Sequence, residues 1–183
     1  MGDPWTTSTA ALHPPVQRAP LGSLPPMRLA LTKRSGDAIR ILLHLASMPV
    51  GTRQTSAELA EASGVSQGNI PTLVAALSRA GLLDCARGPG GGCALARDPA
   101  DIDMAEAVTA VEGTLEAERC ALDEVRCGDR AYPCGLHQTW TAIVSNLSDQ
   151  LAGLSLAQAL DRDVANRKAA AGQLTQAPRR PRS

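Results

Sequence analysis

The feature that most constrains this chain is a glycine run, Gly88-Pro89-Gly90-Gly91-Gly92, between two short segments, Leu82–Arg87 and Cys93–Ala96. Five residues dominated by glycine cannot continue a helix or a strand, so the flanking segments are expected to fold back on one another as a β-hairpin. The sequence before the run is helical in pattern. Ala38, Ile41, Leu42, Leu45 and Ala46 recur at helical spacing and predict a first helix from about Leu31 to Ser47. Thr55 followed by Glu58 is a capping box opening a second helix that reaches about Ala62. Gly64 makes a turn, and a third helix runs to about Ala80 with Gly81 at its end. Pro71 is compatible with that helix only in its first turn, which makes Asn69 the expected N-cap.

Helix, glycine turn, helix and glycine-tipped hairpin, in that order, make a winged helix-turn-helix. The fold class expected is mainly α with a small β-hairpin wing, followed by a long C-terminal dimerisation helix. A fourth helix is expected from about Asp103 to Glu112, and Trp140, Ile143, Val144, Leu147, Leu151 and Leu154 mark one long amphipathic helix. Four regions follow: residues 1–26, with six prolines, as a disordered tail that precedes a second candidate start at Met27; 27–98 as the DNA-binding domain; 99–163 as a cysteine-bearing loop and dimerisation helix; and 164–183 as a disordered basic tail.

The formal net charge is zero, but the charge is unevenly spread. Residues 27–98 carry eight Lys/Arg against five Asp/Glu, whereas residues 99–163 carry four against twelve. Only the front half is therefore suited to a polyanion. Aromatic residues are limited to Trp5, Trp140 and Tyr132, which argues against modules that stack bases on aromatic platforms. Double-stranded DNA is the expected partner, with the third helix in the major groove. Ser66, Gln67, Asn69 and Thr72 would face bases or phosphates, and Arg87 with Gly88, Gly90 and Gly91 would form the wing contact. The chain carries no nucleophile elbow, phosphate loop or paired-carboxylate motif, so no enzyme is expected. Neither an apolar stretch of membrane-span length nor a signal peptide is evident, which predicts no membrane contact and a cytoplasmic protein.

Cys120, Cys127 and Cys134 are spaced with six residues between each pair, and His137 lies three positions beyond the last. Soft thiolates with one imidazole suit zinc or an iron–sulfur centre. Zinc sites favour closer cysteine pairs, so the wide, even spacing leans toward a cluster. Cys85 and Cys93 flank the wing and read as strand residues with some capacity to oxidise; His44 reads as a packed or partly exposed helix residue rather than a ligand.

Arg87-Gly88-Pro89-Gly90-Gly91-Gly92 with Leu95 and Asp98, together with Met27-Arg28-Leu29, Thr32-Lys33 and the stretch Ala105–Gly113, resembles the IscR/NsrR-type (Rrf family) iron–sulfur transcriptional regulators over roughly Met27 to Asp161. The chain departs from that pattern at Cys93, where an aromatic is usual, and at Pro71, a recognition-helix position. The resemblance implies a homodimeric regulator, expected to be a repressor, on a palindromic operator. It also implies a cluster held by Cys120, Cys127 and Cys134 that senses iron–sulfur status, redox or nitric oxide. In one branch a histidine placed like His137 completes a 2Fe–2S site; in the other an acid from the partner subunit, for which Asp37 is the candidate, completes a 4Fe–4S site. The 2Fe–2S form with His137 is favoured. Loss or modification of such a centre would free a loop that helps set the dimer's spacing. The alternative is a cluster-free thiol-redox or zinc-stapled regulator on the same module.

Overall fold

A computed structural model describes residues 31–114, 120, 122, 125–129 and 132–176. The tail over residues 1–26 and the last seven residues lie outside the described residues. Helix α1 (Lys33–Ala46) is followed by α2 (Ser56–Ser63), α3 (Ile70–Arg79), strands β1 (Leu83–Ala86) and β2 (Gly92–Leu95), α4 (Met104–Glu112), α5 (His137–Ala152) and α6 (Leu156–Gln176). The two strands pair antiparallel, with Leu83 opposite Leu95 and Ala86 opposite Gly92. Fold class, and the element order as far as α4, match the expectation: helices with one hairpin wing.

Alpha-helical caps account for most boundaries. Thr32 caps α1 by accepting from the Ser35 N–H. Thr55 and Glu58 form the expected capping box on α2, and Gly64 ends that helix in the left-handed region. A second box, Asp103 with Glu106, starts α4. Asn69 occupies the N-cap position of α3 with Pro71 in the first turn, but its side chain makes no capping hydrogen bond.

The core is built on α1. Ala38, Ile41, Leu42 and Leu45 pack with Leu59 of α2, Ile70, Leu73 and Leu77 of α3, and Met104, Ala107 and Val111 of α4. Full burial of each large aliphatic side chain contributes about 1.5–3 kcal/mol, so this cluster alone is enough to organise the four helices. Polar contacts join α4 to the start of α1 and fix a buried carboxylate within α1. Glu112, the last residue of α4, accepts from Ser35 Oγ at 2.9 Å and from Thr32 Oγ1, which places a carboxylate at the N-terminus of α1. Asp37, 1% exposed, is held by Lys33 at 2.7 Å and by Arg40.

Two expectations for the C-terminal region need correction. The long amphipathic helix is broken: α5 ends at Ala152 with Gly153 as its C-cap, Leu154 lies outside any helix, and Ser155 with Gln158 restarts the chain as α6. The break is fixed from outside, because Leu154 O accepts from Met104 N at 3.0 Å and Leu156 N donates to Ile102 O at 2.7 Å. Leu156 is fully buried in the core. The segment expected to be a disordered tail from residue 164 is helical as far as Gln176. Alanine and long unbranched side chains in Ala165–Ala171 have high intrinsic helix preference, which a reading based on apolar periodicity does not register. Among the described residues no helix is long and apolar enough to cross a membrane.

Candidate nucleic-acid interface and metal centre

The turn between α2 and α3 presents its polar residues outward because the apolar ones are claimed by the core. Val65, Ile70, Leu73 and Leu77 point inward; Ser66, Gln67, Asn69 and Thr72 are all exposed. Every residue predicted to read DNA from this helix therefore lies on the solvent face. A cleft of about 330 Å³ runs beside it, lined by Lys33, Arg34 and Asp37 of α1 and by Asn69, Thr72 and Leu73. Lys33 and Arg34 were not singled out from the sequence as DNA contacts. They adjoin the start of α3 only because α1 crosses it, and no local motif announces that.

The wing is braced more elaborately than a two-stranded hairpin. Gln54, just before α2, pairs with Cys93 as a third short rung, with N···O distances of 2.9 and 2.8 Å. Arg53 donates to the carbonyls of Asp84 and Gly92 at 3.1 Å and pairs with the Asp84 carboxylate. Arg87 stands exposed at the foot of the turn, which Gly91 N closes onto Gly88 O at 2.9 Å. Two of the glycines are demanded by this geometry. A Cβ on Gly91 would meet Ala86 O at 2.5 Å, and one on Gly92, at φ +126°, would meet Gln54 O at 2.7 Å. Cys85 and Cys93, opposite each other across the hairpin, are joined by a disulfide.

Between α4 and α5 the three spaced cysteines converge. Cys120 Sγ and Cys127 Sγ lie 3.3 and 3.7 Å from Cys134 Sγ, and all three sulfurs fall within 4.8 Å of one another. Cys120 and Cys127 are 9% and 7% exposed. The neighbouring Cys120 sulfur, more than its partial burial, pushes the Cys134 thiol above the ordinary cysteine range. Three soft donors crowded in a partly dry pocket are costly to ionise together without a cation, so the donor set fits a thiophilic metal or an iron–sulfur centre. His137 opens α5; its backbone N–H donates to Cys134 O at 3.0 Å and the residue is half-buried. His137 and Asp37 are not part of the gathered trio. Lys33, with Arg40 beyond it, holds the Asp37 carboxyl below the usual carboxylate range despite its burial.

The whole arrangement lies within a stretch that one family pattern recognises: the Rrf2 model, described as iron-dependent transcriptional regulators, matches residues 31–162. The chain belongs to the Rrf2 family. It is 30% identical over 145 residues to the HTH-type transcriptional regulator IscR of Xenorhabdus nematophila, a match covering 76% of this chain and 87% of that relative. Among solved structures it resembles CymR (YrzC), the global cysteine regulator of B. subtilis, with a TM-score of 0.59 and 21% identity over 74% of this chain and 98% of that one. T. potens IscR matches with a TM-score of 0.56 and 23% identity, over 74% and 88%. These structural likenesses establish a shared fold. In Rrf2 terms, the matched stretch contains the α2–α3 pair, the wing, the cysteine trio and α5.

Proposed function

We propose that this Rrf2 protein is a homodimeric DNA-binding regulator, acting as a repressor, whose affinity for a palindromic operator is set by an iron–sulfur centre on Cys120, Cys127 and Cys134. The observation that carries the reading is the convergence of three thiols, spaced seven residues apart, in the segment that joins α4 to α5. Such a centre supplies a reversible, redox- and nitric-oxide-sensitive crosslink of the three thiolates.

The remaining steps belong to the chain. Ser66, Gln67, Asn69 and Thr72 read the major groove, while Lys33 and Arg34 neutralise phosphates beside α3 and Arg87 reaches the flanking groove from the wing. Leu136, Ile143 and Leu147 are exposed, and α5 buries no residue of its own, which suits pairing with a second copy. Tethered thiolates fix the segment that joins α4 to α5. Glu112 sits at the start of that segment and is hydrogen-bonded to the N-terminus of α1, so a change in the segment is felt next to Lys33 and Arg34. His137, one turn from Cys134, is the fourth ligand best supported, which favours the 2Fe–2S form; Asp37 is already committed to Lys33 and Arg40.

One observation favours a zinc-stapled second reading. The sulfur separations of 3.3 and 3.7 Å approach the roughly 3.8 Å edge expected of a tetrahedron with Zn–S near 2.3 Å. The test is fluorescence anisotropy of a duplex spanning the region upstream of the protein's own gene, across a salt series, before and after nitric oxide treatment. The reading predicts an affinity that falls steeply with salt and weakens about tenfold or more after treatment. Affinity indifferent to nitric oxide contradicts iron–sulfur sensing and favours zinc, and absence of binding contradicts the DNA-binding reading itself.

A further inference from the structure

The wing holds a second pair of thiols that the proposed sensor does not use. Cys85 in β1 and Cys93 in β2 are cross-strand neighbours joined by a disulfide, eight residues apart in sequence. The backbone, rather than the bond, brings them together. Both the N–H and the C=O of Cys93 are engaged by Gln54, on the side away from β1. Cys85 and Cys93 therefore form a non-hydrogen-bonded antiparallel pair, the kind whose Cα atoms approach most closely, and here they stand 4.1 Å apart. Arg53 clamps the same ladder through the Asp84 and Gly92 carbonyls. The two sulfurs thus remain neighbours when the bond is open, and closing it requires no change of register. Their access differs: Cys85 is exposed, whereas Cys93 is 8% exposed.

We propose that Cys85 and Cys93 are a redox-active dithiol that exchanges with low-molecular-weight disulfides, Cys85 attacking and Cys93 resolving, and that their state sets the order of the wing. The Cys85 thiolate attacks one sulfur of the small disulfide RSSR, forming a Cys85–SR bond and releasing RS⁻. Cys93, its proton given to solvent, then attacks Cys85 Sγ, forming the Cys85–Cys93 bond and releasing the second RS⁻. The protein dithiol loses two electrons and two protons, and the small disulfide is reduced to two thiols; excess thiol reverses both steps. A regulator meets its DNA where thiols are kept reduced, and disulfides in such a compartment are mostly transient, catalytic or sensing. The consequence for the wing rests on the DNA-binding reading above. Arg87 lies two residues beyond Cys85, so a bridge below the turn restricts the wing before it meets DNA and lowers the ordering cost of binding.

The test uses the full-length protein, held anaerobically with oxidised glutathione, then alkylated and mapped by peptide mass spectrometry. Cys85 and Cys93 should leave the alkylatable pool together, as one linked peptide. Cys93→Ser should trap a glutathione adduct on Cys85 about ten times faster than Cys85→Ser traps one on Cys93, because only the exposed thiol is open to attack. Two residues that stay alkylatable, or variants that acquire adducts at equal rates, overturn the assignment without reference to DNA. A second arm compares the affinity of the upstream-region duplex for the two redox states. Oxidised wild type should bind about three- to tenfold more tightly than reduced, with no such difference in Cys85→Ser; equal affinities overturn the link to the wing. No binding in either state counts against the DNA-binding reading, while the alkylation map still decides the exchange chemistry.

Discussion

The body from Lys33 to Glu112 and the stretch from Gly113 to Ala152 are held in shape by different means. In the body, Ile41, Leu42, Leu59, Ile70, Leu77 and Val108 are essentially inaccessible, and three helices begin with a side-chain cap. In the second stretch α5 has no fully buried residue, only Leu151 packing partly buried against the core, and the buried side chains among the described residues there are those of Cys120 and Cys127. The first region is specified by its own apolar pattern. On the proposed reading, the described part of the second would take its order from a centre on its thiols and from a second copy against α5.

The largest effects should come from the thiols. Cys120→Ser, Cys127→Ser and Cys134→Ser should each remove essentially all bound metal and visible absorbance. Cys85→Ser and Cys93→Ser should leave both intact. Urea unfolding of the body should stay close to wild type in the three trio variants, because Cys120, Cys127 and Cys134 lie outside the core cluster built on α1. A trio variant that unfolds the body would break the contrast.

Next in size, Leu156→Ala should cost about 2–5 kcal/mol in urea titration, since it opens a cavity in the core. Ile143→Ala, on exposed α5, should change unfolding by less than about 0.5 kcal/mol. Its effect should appear instead as a weaker dimer in analytical ultracentrifugation. Equal unfolding costs at the two sites would show that α5 belongs to the same core.

A smaller and pH-dependent effect is expected at Asp37. Its folded-state pKa is depressed, with the Lys33 hydrogen bond as the main cause. Its contribution is therefore present above the unfolded value near 3.9 and is lost as pH falls toward the lower folded value. Asp37→Asn should destabilise by about 1–3 kcal/mol at neutral pH, and the gap from wild type should close below about pH 4. The variant should leave the absorption spectrum unchanged, whereas His137→Ala should shift it and lower the reduction potential, because imidazole ligation raises the potential. The reverse pattern would move the fourth ligand to Asp37. The smallest effect concerns the wing: Arg87→Ala should weaken DNA binding by roughly five- to tenfold with a shallower salt slope, leaving dimer and metal untouched.

The body was largely legible in the sequence because its signals are local. Thr55 with Glu58, Gly64, Gly81 and the glycine run each fix a nearby turn or cap. The cysteine trio was legible as a ligand set, though not as a geometry. Interactions that join distant segments were not legible: Gln54 as a third rung against Cys93, Glu112 on the start of α1, and Lys33 with Arg34 beside α3. The break at Gly153 escaped because Leu154 continues the apolar spacing, and the capture of Leu154 and Leu156 by residues 102–104 overrides it. The tail of α6 escaped for the opposite reason, being a helix without an apolar stripe.

An iron–sulfur centre on Cys120, Cys127 and Cys134 is tested by anaerobic purification of the full-length protein with determination of iron, acid-labile sulfide and zinc alongside the visible spectrum. A 2Fe–2S centre on the trio predicts a coloured protein with about two irons and two sulfides per chain and no stoichiometric zinc. A colourless protein with one zinc per chain, or with no metal and three freely alkylated thiols, would contradict it.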